Sequence, residues 1–284
     1  MSESNGASEA ASFAGELLHV AKDSPKMRTA ADSLAGSTLV IAETLETILL
    51  PLAALNAGRR KAVEYFNTKF ATRLDEVTSD IPAENLQEPP AYIAGPLMNG
   101  LADASDEPEL EDLFMRLLGA AMDQRAAEQI HPSFVQIIRE LSPAEIGALL
   151  EVLNFNGAVA IVQLRSASPD SQGSSLLLSM ITEFNPDPPS HTVVEVKKVA
   201  SWHQNWQRLG LIEYNFENYL TDEARYKWAE NHYVVRNFRK AVETRGKKLE
   251  TKRGILVVTD FGRFFAASVS AKEALEKYQN QASN

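Results

Sequence analysis

The chain has no cysteine, and this absence excludes several kinds of chemistry. Disulfides, zinc sites built on thiolates and a cysteine nucleophile all need the missing residue. A cytoplasmic location is the simplest expectation, because reducing compartments do not rely on disulfides. The first six residues carry no basic stretch followed by an apolar run, so they do not predict a secretory signal.

Sequence motifs of the common enzyme classes are also absent. The 284 residues contain no glycine-rich phosphate loop, no His-Glu-x-x-His pair and no Gly-x-Ser-x-Gly elbow. Acidic residues are numerous, but their spacing is not that of metal ligands. We therefore expect no metal, no cofactor and no catalytic residue, and a protein that acts by binding rather than as an enzyme.

The composition is that of a folded protein, with 44% hydrophobic and 23% charged residues. The length suits two modest domains. We predict a mostly α protein with a smaller α+β part. Its predicted segments are a disordered tail (1–12), an acidic α-helical domain (13–153), an α+β module (154–271) and a C-terminal tail (272–284).

Apolar residues recur at helical spacing through much of the first domain. The predicted helices are Lys61 to Asp75, Tyr92 to Leu101, Glu109 to Met122, Phe134 to Leu141 and Pro143 to Leu153. Asp106 to Glu109 predicts a cap with acids in the first turn of its helix. Ser142-Pro143-Ala144-Glu145 has the pattern of a capping box with proline at the first helical position.

The stretch Leu34 to Ala57 is the most apolar part of the chain and raises the question of a membrane span. Two glutamates, Glu43 and Glu46, lie near its middle, and Pro51 disrupts its second half. These residues favour a buried helix. A membrane-perturbing helix that infection releases, with association at the membrane, remains an alternative function.

The α+β module combines strand-like runs with helices. Ala158 to Leu164 and Leu176 to Phe184 predict a hairpin, and Leu211 to Tyr214 and Ile255 to Val258 predict a second pair of strands. A helix ends at Arg208 before Gly210, and Thr259 can cap a last helix. This order resembles the end of a winged-helix module, with residues 221–254 as a basic insert that enlarges the wing.

The net charge of −10 conceals a strong asymmetry. Residues 225–254 carry ten cations and three glutamates, a net charge of +7, whereas the first 224 residues carry −17. The ten cations, which are the predicted nucleic-acid-binding residues, are Arg225, Lys227, Arg236, Arg239, Lys240, Arg245, Lys247, Lys248, Lys252 and Arg253. Such a basic segment on an acidic body indicates an interaction surface.

Four aromatic residues alternate with these cations, as on many nucleic-acid-binding surfaces: Tyr226, Trp228, Tyr233 and Phe238. The structural alternative is that Tyr233 and Phe238 pack inward while the cations are solvated on one helix face or pair with the acidic body. A third alternative is an anionic membrane surface. The sequence leaves all three open, and it also leaves open a phage or host protein as partner and an assembly of several copies.

The break between two predicted helices contains His131, Pro132, Ser133 and Phe134. Arg125 and His131 fit the loose Arg-x(4–6)-His spacing of HEPN ribonucleases, so a HEPN-like ribonuclease is a second alternative function. The match is weak, because the chain holds a second such pair, Arg225 and His232. A residue before proline favours extended backbone, so His131 is expected just outside the next helix, where it can cap it.

Residues 81 to about 153 resemble the Abi-alpha (abortive infection alpha) family of bacterial proteins. The resemblance lies in an ordered series of segments: Ile81 to Asn85, Glu88 to Pro90, Ile93 to Pro96, Glu109 to Asp123, His131 to Phe134 and Leu141 to Glu145. Leu209 to Ile212 and Thr259-x-Phe261-Gly262-x-x-Phe265 resemble the tail of that family. Gly147 departs from its more typical acidic helix start.

This resemblance implies a role in bacterial defence against phage by abortive infection. It implies no catalytic residues, and His131 to Phe134 then mark the family rather than an active site. The segment 155–184 and the basic insert match nothing in the family that we recognise. The expectation is thus an anti-phage protein that acts by binding, through nucleic acid or through a phage or host protein.

Overall fold

The computed structural model describes residues 60–168, 173–184 and 193–270. Several predicted segments lie outside these residues: the tails 1–12 and 272–284, the apolar stretch 34–57 and the proline-rich linker 185–190.

The chain forms two compact units. Unit 1 comprises Met1–Pro143 together with Ala267–Asn284, and unit 2 comprises Ala144–Ala266. The domain boundary at residue 153, which we drew from composition, stays a prediction.

The described part of unit 1 is helical. Its helices are α1 (Arg60–Thr68), α2 (Phe70–Thr78), α3 (Ala91–Asp103), α4 (Pro108–Met122) and α5 (Ser133–Arg139). Each predicted helix in this range is confirmed, but the segment Lys61 to Asp75 is divided at Lys69. The predicted side-chain cap on α4 is wrong, because Glu107 stands at the N-cap without a side-chain hydrogen bond. Pro108 starts that helix instead, where its missing N–H costs nothing.

Helix α4 is the centre of unit 1 and packs against α2, α3 and α5. Its apolar side chains Phe114, Leu117 and Leu118 are almost completely buried. Gly100 of α3 allows the close approach of α4, because a Cβ at this position would overlap the ring of Phe114. The helical spacing of the apolar residues therefore does produce one shared core.

Unit 2 combines helices with a four-stranded antiparallel sheet. Its elements are α6 (Pro143–Leu153), β1 (Val159–Ala167), β2 (Ser174–Thr182), α7 (Val193–Arg208), β3 (Ile212–Asn215), α8 (Trp228–Asn231), α9 (Tyr233–Glu243), β4 (Lys248–Val258) and α10 (Asp260–Val269). The strands lie in the order β2-β1-β4-β3.

Both predicted strand pairs are confirmed. In the hairpin Val162 lies opposite Ile181, and in the second pair Ile212 lies opposite Val258. The sequence did not predict that the two pairs join. Strand β4 is longer than expected, and its residues 248–256 pair with β1, with Arg165 opposite Glu250.

Close backbone contacts fix the ends of the helices beside β3. Gly210 ends α7 with a φ of 76°, and the N–H groups of Gly210 and Leu211 donate to the carbonyls of Gln207 and Trp206. Thr259 caps α10 as predicted, because its Oγ1 accepts from the N–H of Gly262 at 2.8 Å. A Cβ at Gly262 would overlap the carbonyl of Leu211, which explains the glycine.

Candidate functional site

The structure divides the ten predicted nucleic-acid-binding cations into groups with different surroundings. Three of them contact unit 2 itself. Arg225 donates to the carbonyl of Ala158 at 3.2 Å and lies over the ring of Phe155. Lys252 and Arg253 form exposed ion pairs with glutamates at 3.2 and 3.1 Å.

The four aromatic residues of the segment take part in the core rather than in an exposed surface. Tyr226 is buried, and its hydroxyl donates to the carbonyl of Gly254 at 2.9 Å. Trp228, Tyr233 and Phe238 are partly buried and pack against the same hydrophobic cluster, which includes Val235 of α9. The inward packing that we considered for Tyr233 and Phe238 is therefore confirmed, and the structure adds Tyr226 and Trp228 to the same cluster.

Helix α9 is strongly amphipathic, and this pattern sets the direction of its cations. Val234, Val235 and Val242 are buried on one side. Arg236 and Lys240 fall on the opposite side and Arg239 at the edge of the buried side, and all three are exposed. The helix begins at a defined point, since the N–H of Val234 donates to Nδ1 of His232 at 3.3 Å. His232, one half of the second ribonuclease-like pair, thus caps a helix.

The C-terminal end of α9 adds two more exposed cations, Arg245 and Lys247. Gly246 has a φ of 69°, and the N–H groups of Gly246 and Lys247 donate to the carbonyls of Glu243 and Val242. These two bonds close a Schellman motif, which holds the turn into β4 in one conformation. Cations are also favoured at this negative end of the helix dipole.

We call these five cations the basic surface: Arg236, Arg239, Lys240, Arg245 and Lys247. Their side chains form no hydrogen bond or ion pair within the described residues. Glu243 is the carboxylate of α9, so the basic surface and this glutamate together carry a net charge of +4. A set of exposed cations without internal partners is able to bind an anion.

The remaining two predicted cations lie apart from the basic surface. Leu249 packs against the hydrophobic cluster beneath α9, so its neighbour Lys248 points to the opposite face of the sheet. Lys227 is exposed immediately before α8.

The family motif of unit 1 has a structural role in the described chain. His131 accepts the N–H of Ser133 at 3.2 Å through Nδ1, which also lies 2.6 Å from the hydroxyl of Ser133. Phe134 is completely buried. Residues 131–134 thus start α5 and anchor it in the core. His131 precedes the proline and caps the helix, as expected.

Arg125, the other half of the ribonuclease-like pair, is engaged by Asp123. The guanidinium of Arg125 donates to both carboxylate oxygens of Asp123, and the backbone N–H of Arg125 donates to Oδ1 of Asp123. Partial burial works to raise the pKa of Asp123, but these hydrogen bonds outweigh it and lower the pKa below its usual value. Asp123 and Arg125 form the turn between α4 and α5.

Unit 2 also contains a buried polar contact that the sequence did not reveal. Nε1 of Trp206 donates to Oε2 of Glu145 at 2.6 Å, and both residues are buried. His203 lies edge-on to Trp206, and burial lowers the pKa of His203 to about 4. The sequence predicted Glu145 only as part of a capping box, since nothing in its local pattern points to a tryptophan 61 residues away.

Two negative observations concern metal binding and membrane spanning. Within the described ranges, no group of three histidine or acidic side chains is arranged to hold a metal ion. None of the described helices combines the length and the apolar character needed to cross a membrane.

Comparison with known proteins identifies one family. The family described as abortive infection alpha matches residues 59–269. A comparison with curated proteins finds no match. A solved structure of an uncharacterized protein from the hydrocarbon-degrading marine bacterium Alcanivorax borkumensis SK2 is 17% identical, with 52% of this chain and 96% of the other covered at a TM-score of 0.30. That likeness is too low to inform the fold. The family match covers most of the chain and includes the segments that suggested it, and the chain therefore belongs to the Abi-alpha family.

Proposed function

We propose that this protein acts in abortive-infection defence against phage by binding nucleic acid through the basic surface. The observation that carries the proposal is the set of five exposed cations without partners in the described chain. We also propose that the protein acts by binding rather than by catalysis, and that it acts in the cytoplasm. Its proposed partner is nucleic acid rather than a phage or host protein.

The charge distribution supports a localised contact. The chain carries a net charge of −10, so nucleic acid is repelled by most of the molecule. At physiological salt, charges separated by more than about 8 Å are largely screened, so attraction by the basic surface acts at close range. Binding would release counterions from the phosphates and weaken steeply as salt rises.

The arrangement of elements supports the same region. Helix α7, strands β3 and β4 and helix α10 follow one another in the order of a winged-helix module, and winged-helix character is part of the proposal. The basic insert, residues 221–254, contains helix α9 and the first seven residues of β4. It lies between β3 and the rest of β4. The basic surface would then be an elaboration of a binding module.

The test compares charge reversal on the basic surface with charge reversal on another helix. The first variant carries Arg236→Glu and Lys240→Glu, two exposed cations of α9. The matched control carries Lys197→Glu and Lys198→Glu, two exposed lysines of α7. Binding to fluorescent DNA and RNA oligonucleotides is measured by anisotropy at about 50 mM and about 200 mM salt.

We expect the first variant to bind at least about tenfold more weakly, with a salt dependence reduced by about one unit of slope per removed phosphate contact. The control should keep most of the affinity. A phage-challenge assay with the same variants should show loss of protection only for the first. Absence of binding in the unmodified protein at low salt, or equal losses in both variants, would overturn the proposal.

A further inference from the structure

We infer that the basic surface binds a double-stranded nucleic acid in preference to a single strand. The inference rests on the proposed function and specifies the class of ligand. The inference depends on which side chains lie beside the cations at the surface and which side chains pack in the core.

Single-stranded nucleic acids are usually held by a positive groove together with aromatic rings on which the bases stack. Tyr226, Trp228, Tyr233 and Phe238 alternate with the cations in sequence, but they pack against the hydrophobic cluster of unit 2. Exposing them would remove them from that core. The basic surface therefore offers charge without rings for stacking.

The described part of unit 2 has two exposed rings: Phe264 lies on α10, outside the basic segment, and Tyr219 has surroundings that are unfavourable for an anion. Tyr219 is 61% exposed, in the loop that follows β3. The same loop carries the carboxylates of Glu217, Asp222 and Glu223, all of them exposed. Lys252 and Arg253 pair with Glu217 and Glu223, so these three acids and two cations sum to −1. Tyr219 therefore lacks the positive surroundings that hold the phosphates of a single strand.

The geometry of α9 suits a rigid array of phosphates. The helix has 11 residues and is about 16 Å long, with Arg236 and Lys240 on the side opposite the core and Arg239 at its edge. His232 and the Schellman motif hold its two ends, so the cations have a fixed spacing along a straight element. Double-stranded DNA presents one phosphate charge about every 1.7 Å along its axis. The match is to the backbone of a duplex, which DNA and RNA share.

The experiment measures affinity for a short duplex DNA, a duplex RNA of the same sequence and an oligothymidylate of equal length. Anionic vesicles of phosphatidylglycerol serve as a fourth ligand. The full chain is used, with the variant Tyr219→Ala alongside it. Anisotropy is recorded from about 50 to about 200 mM salt.

We expect duplex to bind at least several-fold more tightly than the single strand. For five phosphate contacts the logarithm of the binding constant should fall with a slope of up to about −4.5 against the logarithm of salt, at about −0.9 per contact. Tyr219→Ala should bind duplex unchanged. The two duplex arms show whether DNA or RNA geometry is preferred.

Several outcomes separate the inference from the function on which it rests. Equal or tighter binding of the single strand, or loss of affinity in Tyr219→Ala, would overturn the duplex preference and leave nucleic-acid binding intact. Binding to vesicles but to none of the oligonucleotides would overturn both. Absence of binding to every ligand at low salt would also overturn both.

Discussion

The arginines of unit 1 and those of the basic surface in unit 2 have opposite surroundings. Four arginines of unit 1 form ion pairs with carboxylates of the same unit: Arg73, Arg116, Arg125 and Arg139. In unit 2, the three arginines of the basic surface form no ion pair with any described residue. The same side chain stabilises structure in one unit and is available to a partner in the other.

The difference follows from where the carboxylates lie. Helix α4 carries Glu111 and Asp112, which bind Arg73 at 3.2 and 2.7 Å, and Glu111 also accepts from Tyr65 at 2.6 Å. The three carboxylates around Arg73, which include Glu76, outweigh partial burial and raise the pKa of Arg73. Helix α9 has one carboxylate. The number of charges along the sequence does not distinguish paired from unpaired arginines, whereas the contacts in the structure do.

Replacing one arginine in each unit should give the largest contrast in stability. Arg73→Ala leaves Glu111 without its cation in a partly buried site, whereas Asp112 keeps its pair with Arg116, and we expect the change to lower the free energy of unfolding by about 1–3 kcal/mol. Arg239→Ala removes no hydrogen bond or ion pair with any described residue and should change that free energy by no more than about 0.5 kcal/mol. Urea denaturation of the full chain measures both.

Arg73→Lys is the matched control for this pair. It keeps the charge but not the planar donor fork that reaches several carboxylates, so its loss should be intermediate. Equal losses for Arg73→Ala and Arg239→Ala would contradict the distinction between paired and unpaired cations.

Much of the fold could be predicted from local pattern. The spacing of Phe134, Ile137 and Ile138 predicts α5, and all three residues are buried. Gly210 and Thr259 predict the end of α7 and the start of α10, because both act through backbone groups only a few residues away. Contacts that join distant segments could not be predicted in this way. The pairing of β1 with β4 links Val159 to Leu256, and no local signal specifies a partner so far along the chain.

The candidate site was predictable as a segment but not as a surface. The excess of cations in 225–254 indicated the right part of the chain. The sequence could not decide that Tyr226 is buried or that Arg253 pairs with Glu223, because both depend on the tertiary position of β4. The usable signal was the helical spacing of Val235, Phe238 and Val242, since it places Arg236 and Lys240 on the side of α9 opposite its core and Arg239 at the edge of the core side.

A change at His131 should separate stability from function in unit 1. His131→Ala removes the acceptor for the N–H of Ser133, and loss of such a cap costs about 1 kcal/mol. Protection against phage should remain, since the side chain acts within the fold. Urea denaturation and a phage-challenge assay are the measurements.

His131→Asn provides the control, because asparagine is itself a good capping residue and should restore most of the stability. If His131→Ala kept its stability but lost protection, the ribonuclease alternative would be favoured over a structural role. The basic-surface variants should give the opposite result, with normal stability and no protection.

The smallest expected effect concerns the carboxylate within α9. Glu243 lies one turn from Arg239 and Lys240 and is exposed. Glu243→Gln removes its repulsion of phosphates, so we expect nucleic acid to bind about twofold more tightly, a change of roughly 0.4 kcal/mol that is typical of one exposed charge interaction. Stability should not fall, because a carboxylate is unfavourable at the C-terminal end of a helix. Glu64→Gln on α1 makes the same change in net charge, and its affinity should stay the same. Equal gains in both variants would mean that overall charge, rather than the basic surface, controls binding.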